Sequence, residues 1–168
     1  MGRPLSIILL LVLLLMPVDS SGQGPSLLPL AGPPVSLKDL EGKVVILTFA
    51  GSWVPFLSRE LSMLQRVANR YEAQQVVLFW VTIDSAETGT KNYSSSEQIQ
   101  AFLKRSNLRI GVLRDPEMAA YKHFGLEAVP TVILIDQKGR VVQKYVGIDT
   151  GQGELYTEIG AEIERLLR

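Results

Sequence analysis

Residues able to do covalent chemistry are scarce in this chain, which has one histidine, His123, and no cysteine. Without a thiol there is no redox dithiol, thiolate metal site or covalent cysteine intermediate. Ser52, His123 and Asp84 supply the residue types of a hydrolase triad. No nucleophile-elbow motif accompanies them, and a lone histidine near a helix end is ordinarily structural or solvated. Carboxylates alone remain as metal ligands, and no ligand spacing recurs. The glycines from Gly147 to Gly153 lack the Walker lysine and Ser/Thr and do not match G-x-G-x-x-G, so they read as a turn. No cofactor or metal is therefore expected. Glu60 reads as a solvated or partly paired carboxylate in the first turn of a helix, where the dipole favours it. The stretch that stands out instead is apolar: Trp53-Val54-Pro55-Phe56-Leu57, preceded by Gly51-Ser52.

The surrounding elements place that stretch between a strand and a helix. Val44 to Phe49 is a short apolar run, β-branched at its start, as in a strand buried on both faces. Leu57, Leu61, Leu64, Ala68 and Tyr71 then recur at helical spacing and predict an amphipathic helix to about Ala73, with Pro55 near its first turn. Val76 to Ile83 predicts a second buried strand that ends at Asp84. A polar loop closes in Ser94-Ser95-Ser96-Glu97, a capping-box signature opening a helix with Ile99, Phe102 and Leu103 on one face. Ile110 to Leu113 is a short strand, and Asp115-Pro116-Glu117 reads as a helix start stopped by Gly125. Val132 to Ile135 and Val141 to Val146 form a hairpin across Asp136 to Arg140. A last helix from about Glu154 turns Leu155, Ile159, Ile163, Leu166 and Leu167 inward. This order, β-α-β-α-β-α-β-β-α, predicts an α/β fold with a parallel-leaning mixed sheet and an antiparallel hairpin.

Ahead of the domain, Arg3, an apolar run from Leu5 to Met16, Pro17, and small residues at Val18 and Ser20 form a secretory signal pattern. The run, about 12 residues, is shorter than the roughly 20 that a bilayer span needs. Three segments are thus expected: a leader over 1–20, a Pro/Gly-rich linker becoming extended over 21–34, and a domain over 35–168. The expected location is secreted or periplasmic after cleavage, or membrane-anchored if the leader is kept. Lys+Arg and Asp+Glu are equal at 17 each, and the balance stays at zero without the leader, which argues against nucleic acid as a partner. Asn92-Tyr93-Ser94 is a formal glycosylation acceptor.

Together, Gly42-Lys43-Val44-Val45-Ile46-Leu47-Thr48-Phe49, Trp53-x-Pro55, Glu60-Leu61, Val129-Pro130-Thr131 and Ile135-Asp136-x-x-Gly139-Arg140 resemble the landmarks of the TlpA-like redoxins, over roughly residues 26 to 167. These are exported thiol-disulfide oxidoreductases related in fold to peroxiredoxins. The resemblance implies a thioredoxin-like three-layer sandwich with helices on both faces. It places the nucleophilic cysteine at Val54, the resolving cysteine at Leu57, a carboxylate that tunes thiol acidity at Glu60 and a cis-proline at Pro130, preceded by a residue offering backbone hydrogen bonds to an extended client. Both thiol positions are aliphatic here, and disulfide exchange requires a thiolate; a peroxiredoxin reading fails on the same ground.

Two readings of the turn follow. Trp53, Val54, Pro55, Phe56, Leu57, Val129 and Pro130 form an apolar surface that holds exported protein or peptide clients, in part by strand addition, or the aliphatics pack inward as plain core. The chain is accordingly expected to be a redox-inactive member that binds proteins rather than an enzyme. Oxidoreductase or antioxidant activity by membership alone, unrelated chemistry in the same cleft, and a structural role in an exported complex are the alternatives.

Overall fold

The computed structural model describes residues 25–71, 73, 75–147 and 153–168. The expected leader, the first part of the linker and most of the glycine-rich turn lie outside the described residues. Six strands form one mixed sheet: β1 (Leu28–Pro29), β2 (Val44–Ala50), β3 (Val76–Thr82), β4 (Gly111–Arg114), β5 (Thr131–Ile135) and β6 (Val141–Val146), in the order β1-β4-β3-β2-β5-β6. Strands β2, β3 and β4 are parallel, β5 runs against β2, and β6, antiparallel to β5, returns to the direction of β2; β1 runs against β4. The apolar run of β2 is explained by its place: every residue is buried between two neighbouring strands and two covered faces.

The helices are α1 (Leu57–Ala68), α2 (Ser96–Arg105), α3 (Ala119–His123) and α4 (Glu154–Leu166), with a 3-10 turn over Leu37–Leu40. Leu64, Val67, Ile159 and Ile163 of α1 and α4 meet Ile46, Leu78 and Leu134 on one face of the sheet, and Ile99 of α2 meets Trp80 and Val112 on the same side. Ala120 and Phe124 cover the other face over Phe49, Val81 and Ile133, where Val35, Leu37 and Leu40 also pack. Period-two alternation along the strands thus feeds two cores.

Three boundaries differ from the sequence expectation. Helix α1 stops at Ala68 rather than near Ala73, and Tyr71 leaves it to donate its hydroxyl to the Gly160 carbonyl oxygen at 3.1 Å, tying α1 to α4. The capping box of α2 uses Ser95 with Gln98. Asp115 does not begin α3, because its N–H still extends the sheet to the Thr82 carbonyl oxygen at 2.8 Å. Its carboxylate caps the helix from outside, accepting the Ala120 N–H at 3.1 Å and the Tyr121 N–H at 2.8 Å. Replacing Asp115 by Ala strands both amides and is expected to cost about 1–2 kcal/mol in denaturant unfolding, whereas Ala at exposed Glu117 should fall within about 0.5 kcal/mol of wild type.

Tyr145 of β6 lies beneath α4, where burial first, and then the carboxylates of Glu158 and Glu162, push its phenol up to about 12. The folded value exceeds the ordinary 10.0, so the stability linked to the neutral phenol is complete below that pH and is lost as pH climbs through the folded value. A phenolate absorbance titration should show one late-titrating tyrosine near pH 12, absent from Tyr145→Phe.

Candidate functional site

The stretch from Gly51 to Leu57 leaves β2 through two successive reversals. Trp80 fixes their start, its indole N–H donating to the Ala50 carbonyl oxygen at 2.8 Å. The Val54 N–H then donates to the Gly51 carbonyl oxygen at 3.0 Å and the Leu57 N–H to that of Val54 at 3.3 Å. Phe56 is the N-cap of α1 with φ at 59°, in the left-handed region, and its carbonyl oxygen accepts the Arg59 and Glu60 N–H groups. Pro55 therefore sits just before the cap rather than in the first turn.

These reversals sort the side chains. Val54 and Leu57 turn inward, 6% and 1% exposed, and pack with Leu61, Trp80, Ile99 and Leu108. Trp53 and Phe56 turn outward, 54% and 70% exposed, with Pro55 exposed between them. Val54 and Leu57, expected among the surface residues, are therefore core, while Trp53, Pro55 and Phe56 stay at the surface. Gly51 makes room for this arrangement, since a Cβ there would lie 2.3 Å from the Trp53 indole nitrogen. The indole folds back over bare backbone.

Strand β5 brings in the second segment. Its register pairs Thr131 with Phe49, and continuing that register carries Pro130 and Val129 alongside Ala50 and Gly51. The Val129–Pro130 peptide bond is cis. Val129 is partly buried against the cluster that holds Val54 and Leu57, while Pro130 is buried and its carbonyl oxygen accepts the Gly147 N–H at 2.8 Å.

Glu60 stands in the first turn of α1 as expected, but of the two sequence options, solvated or partly paired, the solvated one fails: it is 2% exposed, because position 60 falls on the same helix face as Leu57, Leu61 and Leu64. Its acid lies under the turn rather than in water.

A polar network missed by the sequence reading holds the turn from behind. Fully buried Asp84 accepts the Ser52 N–H at 2.9 Å, the Ser52 hydroxyl at 3.1 Å and the Thr82 hydroxyl at 2.5 Å. The Ser94 hydroxyl lies 3.1 Å from that of Ser52, and Arg114 donates to the Ser94 and Ser85 carbonyl oxygens. The signal was the spacing: Thr82 and Asp84 stand two apart at the end of an apolar strand, hence on one face. Ser52 and Asp84 of the paper triad do meet. His123 does not join them; it is exposed at the end of α3 with its ring against Phe124, and no hydrogen bond among the described residues links it to either. Among the described residues there is also no cluster of three or more metal-binding side chains and no helix long and apolar enough to cross a membrane.

Residues 25–144 match the model of the AhpC/TSA family. A thiol-disulfide oxidoreductase of Bacillus cereus, ResA, is 30% identical over 72% of this chain and 65% of its own length; the chain thus spans a little under two thirds of that relative. A putative thiol:disulfide interchange protein, DsbE, from Chlorobium tepidum superimposes with a TM-score of 0.70 at 24% identity, over 87% of this chain and 96% of its own. That likeness concerns the thioredoxin-like fold. An exposed lipoprotein thioredoxin of Streptococcus pneumoniae gives a TM-score of 0.60 at 25% identity, over 82% of this chain and 98% of its own.

Proposed function

Since the chain belongs to the AhpC/TSA family and carries no cysteine, we propose that it is a redox-inactive, exported member that binds extended polypeptide at the Trp53 turn. The observation carrying this reading is Phe56: a large aromatic, 70% exposed, in a left-handed backbone conformation. That conformation is uncommon outside glycine and asparagine and costs of order 1 kcal/mol. An apolar ring kept there in water gains nothing from burial in the fold, so its contribution lies in contact with something else. Trp53 and Pro55 extend the same surface, and Val129, at the mouth of the old site, lines its other side. Strand addition beside Val129 would give sequence-tolerant affinity, with the aromatic rings selecting apolar side chains.

Neither inward side chain, Val54 or Leu57, can form a thiolate, so thiol exchange and peroxide reduction are not part of this role. Export rests on the leader pattern and is in keeping with the exposed lipoprotein thioredoxin among the similar structures. The proposal is tested by affinity capture from the native exported fraction with the mature protein and a folded Trp53→Asp variant. Partners lost with the variant support it; partners retained by both move the function to another surface and leave the turn as packing.

A further inference from the structure

Next to the Trp53 turn, on the side of α2, Ser52, Ser94, Gln98, Ala101, Phe102 and Arg105 line an open pocket of about 330 Å³. Its hydrogen-bonding character follows from proton bookkeeping. The Ser52 hydroxyl donates its one proton to Asp84. The contact between the Ser52 and Ser94 hydroxyls therefore has Ser94 as donor. Both protons run inward toward the buried carboxylate, leaving neither serine a proton for the pocket. Gln98 Oε1 is likewise taken by the Ser95 N–H at 2.8 Å, so the free end of that amide is its NH₂ group, a donor. Arg105 is exposed at the rim and forms no ion pair among the described residues, whose two bridges are Arg140–Asp136 and Arg165–Glu162. Arg114, behind the pocket, also forms no ion pair among the described residues, and its Nη2 donates to the Ser85 and Ser94 carbonyl oxygens. Arg105 is the one charged side chain among the residues lining the pocket. Phe102 and Ala101 supply apolar wall.

We infer that this pocket is a subsite for one carboxylate-bearing side chain, an Asp or Glu, of the polypeptide bound at the Trp53 turn. The free donors of Arg105 and Gln98 match a carboxylate, and no acid lines the pocket to oppose the rim charge. A cationic side chain would meet an arginine with no compensating acid. Ser52 belongs both to this pocket and to the turn, which places the acid next to the segment lying across Trp53. This inference rests on the peptide-binding reading above and adds selectivity to it.

The test uses the mature protein and two N-acetylated, C-amidated octapeptides of alternating Val and Ser that differ at one position, Glu or Gln, with N-acetylglutamate and N-acetylglutamine as small probes, both as their α-amides so that only the Glu side chain carries a carboxylate, followed by amide NMR shifts and calorimetry. The Glu peptide is expected to bind about tenfold more tightly than the Gln peptide. That ratio should collapse to about one in Arg105→Gln, with N-acetylglutamate alone shifting the Ser94, Gln98 and Arg105 amides. Both peptides binding equally well through Trp53, with no response to N-acetylglutamate, overturns the subsite and leaves the peptide surface standing. N-acetylglutamate shifting the pocket while neither peptide responds to Trp53→Asp overturns the peptide reading, and the subsite within it, while showing that the pocket takes free carboxylate.

Discussion

A Val54→Cys, Leu57→Cys variant is expected to close a disulfide and to reduce insulin in the presence of a dithiol reductant, where the wild-type protein gives only the uncatalysed rate. The hydrogen bond from the Leu57 N–H to the Val54 carbonyl oxygen makes the four residues a turn. Its end Cα atoms therefore lie within about 7 Å, and a disulfide spans about 4.4–6.8 Å between Cα atoms. The two new sulfurs face a helix N-terminus, which lowers a thiol's pKa and favours the thiolate. Buried Glu60 sits one helical turn beyond position 57, where the family resemblance puts its acid. Losing the buried Leu57 side chain costs stability, of order 1–3 kcal/mol for the lost packing. The measurement is therefore made on variant shown to be folded by circular dichroism. A folded variant whose two thiols stay titratable under oxidant would contradict the turn geometry described above.

The second large effect is expected at Asp84. Alanine there removes the acceptor of the part-buried Ser52 N–H and hydroxyl and of the fully buried Thr82 hydroxyl. Each buried donor left without a partner costs about 1–3 kcal/mol, so unfolding should shift by about 3 kcal/mol or more, a large share of a typical domain's stability of roughly 5–15 kcal/mol. Because Asp84 holds the first residues of the turn, the loss should also reach Trp53, whose emission should move toward that of a fully solvated indole. Thr82→Val removes one donor to that carboxylate and the acceptor of the Asp84 N–H at 3.2 Å, and is expected to cost about 1–2 kcal/mol, less than Asp84→Ala. Equal costs for Asp84→Ala and Thr82→Val would mean that the network does not converge on the carboxylate.

The strands were legible because their patterns follow from burial alone. Val44 to Phe49, Val76 to Ile83 and Val132 to Ile135 are apolar where the sheet is covered, and the mostly exposed edge strand β6 follows from the glycine-containing loop that turns the chain back. Strand β1 was not legible as a strand: Leu28–Pro29 pairs only with Leu113 and Arg114, and two residues leave no period. The helix boundaries failed for a related reason. Asp115 and Pro116 carry start signals, yet the backbone at Asp115 remains hydrogen-bonded to β3, a long-range partner that local propensity does not contain. The charge of Glu60 suggests solvent while its helical phase gives the buried face, and the phase decides. The turn was found from its residues and from the absence of cysteine. Its division into inward Val54 and Leu57 and outward Trp53 and Phe56 depends on the left-handed φ at Phe56, which nothing in the identity of a phenylalanine announces.

The proposed role stands or falls on whether polypeptide settles on the outward half of that turn. The direct measurement is a residue-resolved NMR titration of the mature protein with an unstructured apolar peptide. Shifts should concentrate at the Trp53 indole, Phe56, Arg59 and Val129, saturate with peptide, and disappear in Trp53→Asp. A protein whose Trp53 and Phe56 signals remain unmoved at saturating peptide, or whose shifts gather on another face and survive Trp53→Asp, would contradict binding at this site.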